Sequence, residues 1–378
     1  MRWKLLAAAC MIASAHSLLG SVWSSSDWAL TSEDNVGFGY DGNLYDRKGG
    51  AGDGYALVVP NLTLKRISSF TDLSASLSVH SYTFFTIRDL DSLNPSLDVT
   101  LRYPYDENAY PTESAHLVAE RTTEANAEVG GRLRLDNFDA GWEGNVASTE
   151  KTILQARLDA HEVDYLTLGF NDNQYLAGGT TLAYIFSERL DLGVGYDYRY
   201  SVSRPKAQGV ESSDFKQSLY TFRGRGDFLP KLSGTFFVGL ADTAYSGATH
   251  RSDLDLEGEF DLVWQATERG KLTLKVSRQN YFSPDGYAYI PASVGPEWTQ
   301  ELKGGYSATV GVDVQHILYR FAQTSRNDNA WGGYLRVKYT VNERFALTFD
   351  AAYSKQSSPE AIVNYQRAAF FGNLECKF

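Results

Sequence analysis

The stretch Thr181–Ser203, TLAYIFSERLDLGVGYDYRYSVS, decides the fold. It reads as two strands joined by a tight polar turn at Ser187-Glu188-Arg189. In the second strand Leu192, Val194, Tyr196, Tyr198, Tyr200 and Val202 share one parity; Asp191, Gly193, Gly195, Asp197, Arg199 and Ser201 share the other. Side chains alternate between faces along a strand, so one face is apolar and aromatic and the other small or charged. A soluble sandwich hides the apolar face inside its core. An outer-membrane barrel turns that face to lipid and keeps the polar one in the lumen.

Working outward, the same turn recurs at Thr149-Glu150-Lys151, Thr267-Glu268-Arg269 and Asn342-Glu343-Arg344. Ser69-Phe70-Thr71 and Leu229-Pro230-Lys231 are variants in the same phase, and Pro104–Tyr110 and the vicinity of Tyr306–Thr309 fill the gaps less clearly. The period is about 39 residues, one hairpin of two long strands. Longer connections are expected at Asp41–Gly54, Ile87–Asn94, Arg204–Ser213, Ser246–Ser252, Ser283–Pro296, Ser325–Asn329 and Gln356–Glu360. Tight turns at one end and long loops at the other match the two ends of an outer-membrane barrel. Eight tight turns between nine outer hairpins predict an all-β, transmembrane, antiparallel up-and-down β-barrel of about 18 strands, with 16 as the second choice because two turns are weak. Other strands alternate alike: Leu254, Leu256, Phe260, Leu262 and Trp264 oppose Asp255, Glu257, Glu259 and Asp261. A β-propeller also repeats near 40 residues. Its strands are short, however, whereas these runs have the length a tilted strand needs to cross a bilayer.

The composition agrees. Among 378 residues there are 24 Tyr, 20 Phe and 33 Gly but only 2 Met, a bias of aromatic strands with glycine-rich faces rather than of helical bundles. Arg2 and Lys4, the apolar run Leu5–Ala15 and the small-residue site Ala13-Ser14-Ala15 predict an export signal over residues 1–15, with the barrel occupying 16–378. Cleavage there moves the formal charge from −11 to −13. Such an acidic balance argues against nucleic-acid binding. Of the two cysteines, Cys10 and Cys376, only Cys376 survives cleavage, which leaves no disulfide framework.

The chain ends AAFFGNLECKF, with Phe370, Gly372, Leu374, Cys376 and Phe378 on one parity. A terminal aromatic residue of this kind is the signal read by the barrel-assembly machinery, and Phe378 is assigned that role. Near the other end, Asp34-Asn35-Val36-Gly37-Phe38-Gly39-Tyr40-Asp41-Gly42-Asn43-Leu44-Tyr45 opens the mature chain, and Leu190–Ser201 follows the pattern LxLGxGYxYxxS after an S/T-E-R/K-L turn. In these features the chain resembles the outer-membrane β-barrel porin family of the type often linked to exopolysaccharide loci. The resemblance covers essentially the whole mature chain and rests on strand and turn consensus. It implies a passive conduit in the bacterial outer membrane or, alternatively, an accessory protein of exopolysaccharide export, and it carries over no catalytic residues.

The residues themselves offer no enzyme. The histidines at 16, 80, 116, 161, 250 and 316 show no metal spacing, and there is no nucleophile elbow or phosphate loop. No catalytic, metal or cofactor site is assigned. The functional surface is the charged parity: Asp197, Arg199, Arg223, Arg225, Asp255, Glu257, Glu259, Asp261, Lys271, Lys275, Arg336 and Lys338 are the candidate lumen-lining residues. Their charges either neutralise one another and stiffen the wall or set a transverse field across a water-filled constriction. Tyr196, Tyr198, Tyr200, Phe236, Phe237, Tyr281 and Phe282 are expected in the aromatic girdles. The expected partners are outer-membrane lipid, the assembly machinery and hydrophilic solutes or polysaccharide. The acidic total predicts mild cation preference. No stretch marks an oligomer interface.

Overall fold

A computed structural model of the chain describes residues 23–25, 27–68, 70–104, 111–187, 189–206, 213–246, 251–320 and 325–378. The expected export signal, Glu188 and Ser69 of the tight turns, and most of Pro104–Tyr110 lie outside the described residues, as do the centres of the Arg204–Ser213 and Ser246–Ser252 connections.

Eighteen antiparallel strands form one closed barrel. They are β1 (Trp28–Asp41), β2 (Asp53–Val59 and Asn61–Ile67, interrupted at Pro60), β3 (Asp72–Phe84), β4 (Ser92–Tyr103), β5 (Thr112–Asn126) and β6 (Gly131–Thr149). Then come β7 (Thr152–Tyr165), β8 (Asp172–Ser187), β9 (Leu190–Arg204), β10 (Ser213–Leu229), β11 (Leu232–Ser246) and β12 (Arg251–Trp264). The last six are β13 (Gly270–Arg278), β14 (Ala288–Glu301), β15 (Tyr306–Arg320), β16 (Ser325–Thr340), β17 (Phe345–Ser357) and β18 (Tyr365–Lys377). Each strand pairs with its sequence neighbour, and β1 pairs with β18 (Glu33 opposite Lys377, Asp41 opposite Ala369), so the sheet has no open edge. Closure pairs the strands around the ring, which is what hydrocarbon demands of a spanning structure. The terminal residue locks the seam: Phe378 and Ser32 exchange two backbone hydrogen bonds of 2.8 Å.

Faces alternate as the opening stretch predicts. Val194, Tyr196, Tyr198 and Tyr200 point outward and are exposed, while Asp197 and Ser201 between them are buried. Leu254 and Leu256 likewise face out, beside the buried Glu257. Exposed apolar side chains continue around the ring through Leu158, Leu176, Leu182, Leu240, Val310, Val314, Leu335, Phe349 and Phe370. In water such a belt would drive association; in a bilayer it is the lipid-facing band.

Both described chain ends lie at the tight-turn end, which in barrels of this kind is the periplasmic one. Two expected connections differ. Ser283–Pro296 is not one long loop: β14 starts at Ala288 and runs through Pro291 and Pro296. Proline lacks an N–H and is tolerated in a sheet where a ladder bond can be given up. Here pairing of β14 with β15 is interrupted between Val294 and Glu297, while Pro296 stays in register opposite Leu274 of β13. Ser325–Asn329 is the first stretch of β16 rather than a loop, with Ser325 opposite Arg320 and Asn329 opposite His316 and Ser357.

At the outer end the connections fold inward. The β13–β14 connection (279–287) reaches five strands away to β8: the Asn171 amide donates to the Pro284 carbonyl at 2.9 Å, and Asn173 Nδ2 donates to the Ser283 carbonyl at 3.2 Å. Gly286 makes this crossing possible. Its φ is +79°, and a Cβ there would lie 2.2 Å from Asn171 Nδ2, so a side chain meets both strain and collision. The β5–β6 turn packs under the β17–β18 connection, where Gly130 (φ +61°) approaches the Ile362 carbonyl. Lys48 of the β1–β2 connection donates its amide to that same carbonyl at 3.2 Å. Buried residues gather at this level: Leu44, Asn43, Asn280, Ser283, Tyr319 and Val363 are all under 4% exposed.

Candidate functional site: the interior of the barrel

The candidate site is the wall formed by the inward parity. All twelve candidate lumen residues project from that parity, but they divide into two environments. In the first, β7, β9 and β10 bring Arg157 and Arg223 onto one carboxylate. Arg157 Nε donates to Asp197 Oδ1 at 2.9 Å, and Arg223 binds Asp197 Oδ2 from the other side. Arg223 also lies over the Phe237 ring, 5.2 Å from its centroid. Arg225 pairs with Asp191 at 3.1 Å. Arg199 donates to the Asn280 carbonyl at 3.1 Å and stands over the Tyr175 ring, tying the wall to the inward-folded connection.

Nearer the outer mouth the interior is filled. Arg320 of β15 chelates Asp255 of β12 with bonds of 2.7 and 2.9 Å and reaches Asp253 at 2.8 Å. The two strands stand three places apart in the ring, with β13 and β14 between them in sequence order. Glu257, only 2% exposed, accepts from Gln217 Nε2 at 2.7 Å. Beside it Phe215, Tyr245, Ala288 and Phe282 form an apolar cluster within the barrel. Burying an ion pair is unfavourable unless geometry and further hydrogen bonds compensate, and Arg320 meets that condition with a bidentate partner.

Toward the periplasmic end the wall is open. Lys275 and Asp261 face each other at 4.0 Å with 72% and 45% of their side chains exposed, although neither points to lipid. Arg336 donates to Asp350 at 2.6 Å, Lys338 to Glu375 at 2.9 Å, and Lys271 is exposed. Glu259, also exposed, accepts from Gln279 at 2.8 Å. Of the expected cross-strand charge pairing between β12 and β13, Asp261 stands opposite Lys275 as expected; Asp255 and Glu257 lie beyond the last β13 partner, Asp255 reaching Arg278 at the end of β13 at 3.7 Å as well as Arg320 of β15, and Glu257 turning to β10.

Several interior groups are not among the sequence-derived candidates. His116 and His161 share Asp139, with Nε2 of one at 2.7 Å and Nδ1 of the other at 3.1 Å from its two oxygens. The parity rule would have placed Arg157, His116 and His161 inward, because each alternates with lipid-facing leucines. Arg320, at a strand end, has no comparable signal. Among the described residues no group of three or more His, Cys, Asp or Glu is placed to hold a metal. Tyr196, Tyr198 and Tyr200 lie on the outward face that a girdle requires, as does Phe236, which stacks on Phe260 at 5.6 Å. The girdle assignment fails for Phe237, whose parity is the inward one, and for Tyr281 and Phe282, which leave the wall with the inward-folded connection.

Residues 220–378 match the family model described as "Putative beta-barrel porin 2". No curated protein sequence matches the chain. Among solved structures, the FrpB iron transporter from Neisseria meningitidis (F3-3 variant) gives a TM-score of 0.46 at 13% identity, covering 90% of this chain and 63% of that one. OccK1 (OpdK) from Pseudomonas aeruginosa gives 0.48 at 10% identity over 92% and 99% of the two chains. OccAB4 from Acinetobacter baumannii gives 0.48 at 12% over 93% and 99%. The chain thus spans less than two-thirds of the length of the FrpB transporter. The chain is a closed, 18-strand barrel of the outer-membrane type, and its part from the middle of β10 to the carboxyl terminus is similar to a β-barrel porin family.

Proposed function

We propose that the barrel is a passive conduit for small hydrophilic solutes or ions, without a chemical step, and that its inward-folded outer connections make it a narrow one. The observation that carries this reading is the charged, exposed inner wall around Lys275, Asp261, Arg336 and Glu259. Charged side chains held off the lipid face need water, and a lumen of 16–18 strands is wide enough to supply it. The bridge from 279–287 to β8 narrows the passage above that wall. The accessory reading, in exopolysaccharide export, draws no support from the family match or the geometry. Single-channel recording of the refolded protein in planar bilayers, under a salt gradient, tests the proposal. Stable steps with a cation-leaning reversal potential are expected. Silence from protein shown to be folded and inserted would sink it.

A further inference from the structure

A cavity of about 390 Å³ lies between four outer connections, apart from the inner wall described above. Glu128 from the β5–β6 turn, Tyr319 and Val363 form its depth, while Asp285 and Glu360 stand at its rim. Its one guanidinium is already committed. Arg326 Nε lies 3.2 Å from Asp328, its Nη1 donates to Glu360 Oε2 at 2.7 Å, and its plane sits 3.8 Å over the Tyr319 ring. No cationic group is therefore left over for an anion. Glu128 is in the opposite position: Oε2 is buried without a hydrogen-bond partner. A buried carboxylate oxygen left without a donor is costly, and a bound donor would relieve it.

We propose that this cavity binds a small organic cation carrying primary ammonium groups, with Glu128 Oε2 as the deep acceptor and Asp285 as the rim acceptor. The remaining lining, including Phe170 and Ile362, suits a hydrocarbon stem. The absence of a multi-carboxylate or histidine cluster among the described residues disfavours a metal ion as the occupant. Burial pushes the Glu128 carboxyl up to about 8, against the pull of Arg326. The groups facing it are Arg326 and Asp328 of β16, Tyr319 of β15, Tyr289 of β14, Asp285 of the β13–β14 connection and Tyr165 of β7. An ammonium group must displace that proton, so affinity rises with pH by up to about tenfold per unit until the carboxyl is ionised, and levels off above pH 8.

The test is calorimetric titration of 1,4-diaminobutane into the refolded full chain in detergent micelles, a measurement independent of whether the barrel conducts. Saturable one-to-one binding is expected, weakened at least about tenfold in both Glu128→Gln and Asp285→Asn, the worth of one charge-assisted hydrogen bond. Glu150→Gln, in a tight turn at the opposite end, keeps the wild-type affinity. Asp285 is exposed, so its variant reports on the site even where Glu128→Gln fails to fold. Absence of saturable binding, wild-type affinity in either variant, or full displacement of the amine by equimolar calcium overturns the assignment.

Discussion

Glu257 and Glu259 are two residues apart on one face of one strand, yet they occupy different worlds. Glu257 is buried against Gln217, while Glu259 is exposed on the inward face and accepts a hydrogen bond from Gln279. A charge acts on selectivity most strongly where solutes pass beside it, and Glu257 is packed away behind Gln217. Glu259→Gln should therefore shift the reversal potential toward zero under a salt gradient, and Glu257→Gln should leave it unchanged. Equal shifts would mean that both residues line the conducting path. At this scale the sequence was legible in part. Alternation placed Asp197, Arg223 and Glu259 on the inward face, but it carries no depth information and could not separate the filled outer half from the open inner half.

At the level of elements, the connection at 279–287 does what its length alone would not require. It leaves the wall after Arg278, buries Phe282 against Phe215 and Tyr245, and hydrogen-bonds β8. Replacing Pro284–Gly286 with a short Gly-Ser turn should raise single-channel conductance several-fold, since the narrowing contact is lost while the wall stays; unchanged step size would show that the connection does not limit flow. The outer connections also titrate. Burial pushes Glu128 up to about 8, and it pushes Asp46, which faces Arg367, Asp41 and Arg132, up to about 6. A carboxyl neutral in the folded arrangement but ionised when released favours the folded arrangement fully only below its released value. That advantage declines as pH climbs to the folded value and is constant above it. Hydrogen exchange at 42–52 and 127–130, corrected for intrinsic rate, should reveal easier opening at pH 8 than at pH 5, with Glu128→Gln flattening the dependence at 127–130. A flat wild-type profile would contradict the burial assigned to these groups. The element count and the general position of the outer loops were readable from the roughly 39-residue phase of the turns, four of which carry the S/T/N-E-R/K pattern. The Ser283–Pro296 connection was misplaced because Pro291 and Pro296 look like loop residues, and their toleration depends on which neighbour gives up its ladder bond.

For the whole molecule, the lipid-facing band and the closed seam are the two conditions of stability. Val194 is 62% exposed on the lipid side of β9, second in its outward run above the tight turn. Val194→Arg should cost about 1–3 kcal/mol in reversible unfolding from lipid vesicles, between the interfacial and midplane penalties for a cation; a change within error would mean that this face meets water. Phe378 pairs with Ser32 across the seam and sets its ring edge-on to Phe345, 6.3 Å between centroids. Phe378→Ala should slow assembly by the barrel-assembly machinery in native membranes by several-fold while refolding into detergent stays near the wild-type yield. Equal loss in both settings would make Phe378 a structural clasp rather than an assembly signal.

What the sequence determined by itself was periodicity: a two-residue alternation that sorts lipid-facing from interior side chains, and a hairpin-length recurrence of turns that counts the strands. Both are local properties, because the pleat and the tight turn each involve residues adjacent along the chain. What only the tertiary structure decided was the contents of the lumen. Arg320 finding Asp255, Asn173 holding Ser283 and Glu128 closing a cavity over Tyr319 are meetings between residues 65, 110 and more positions apart. Such pairings depend on which strands a closed ring sets opposite each other and on where its connections turn inward, and no local pattern encodes either.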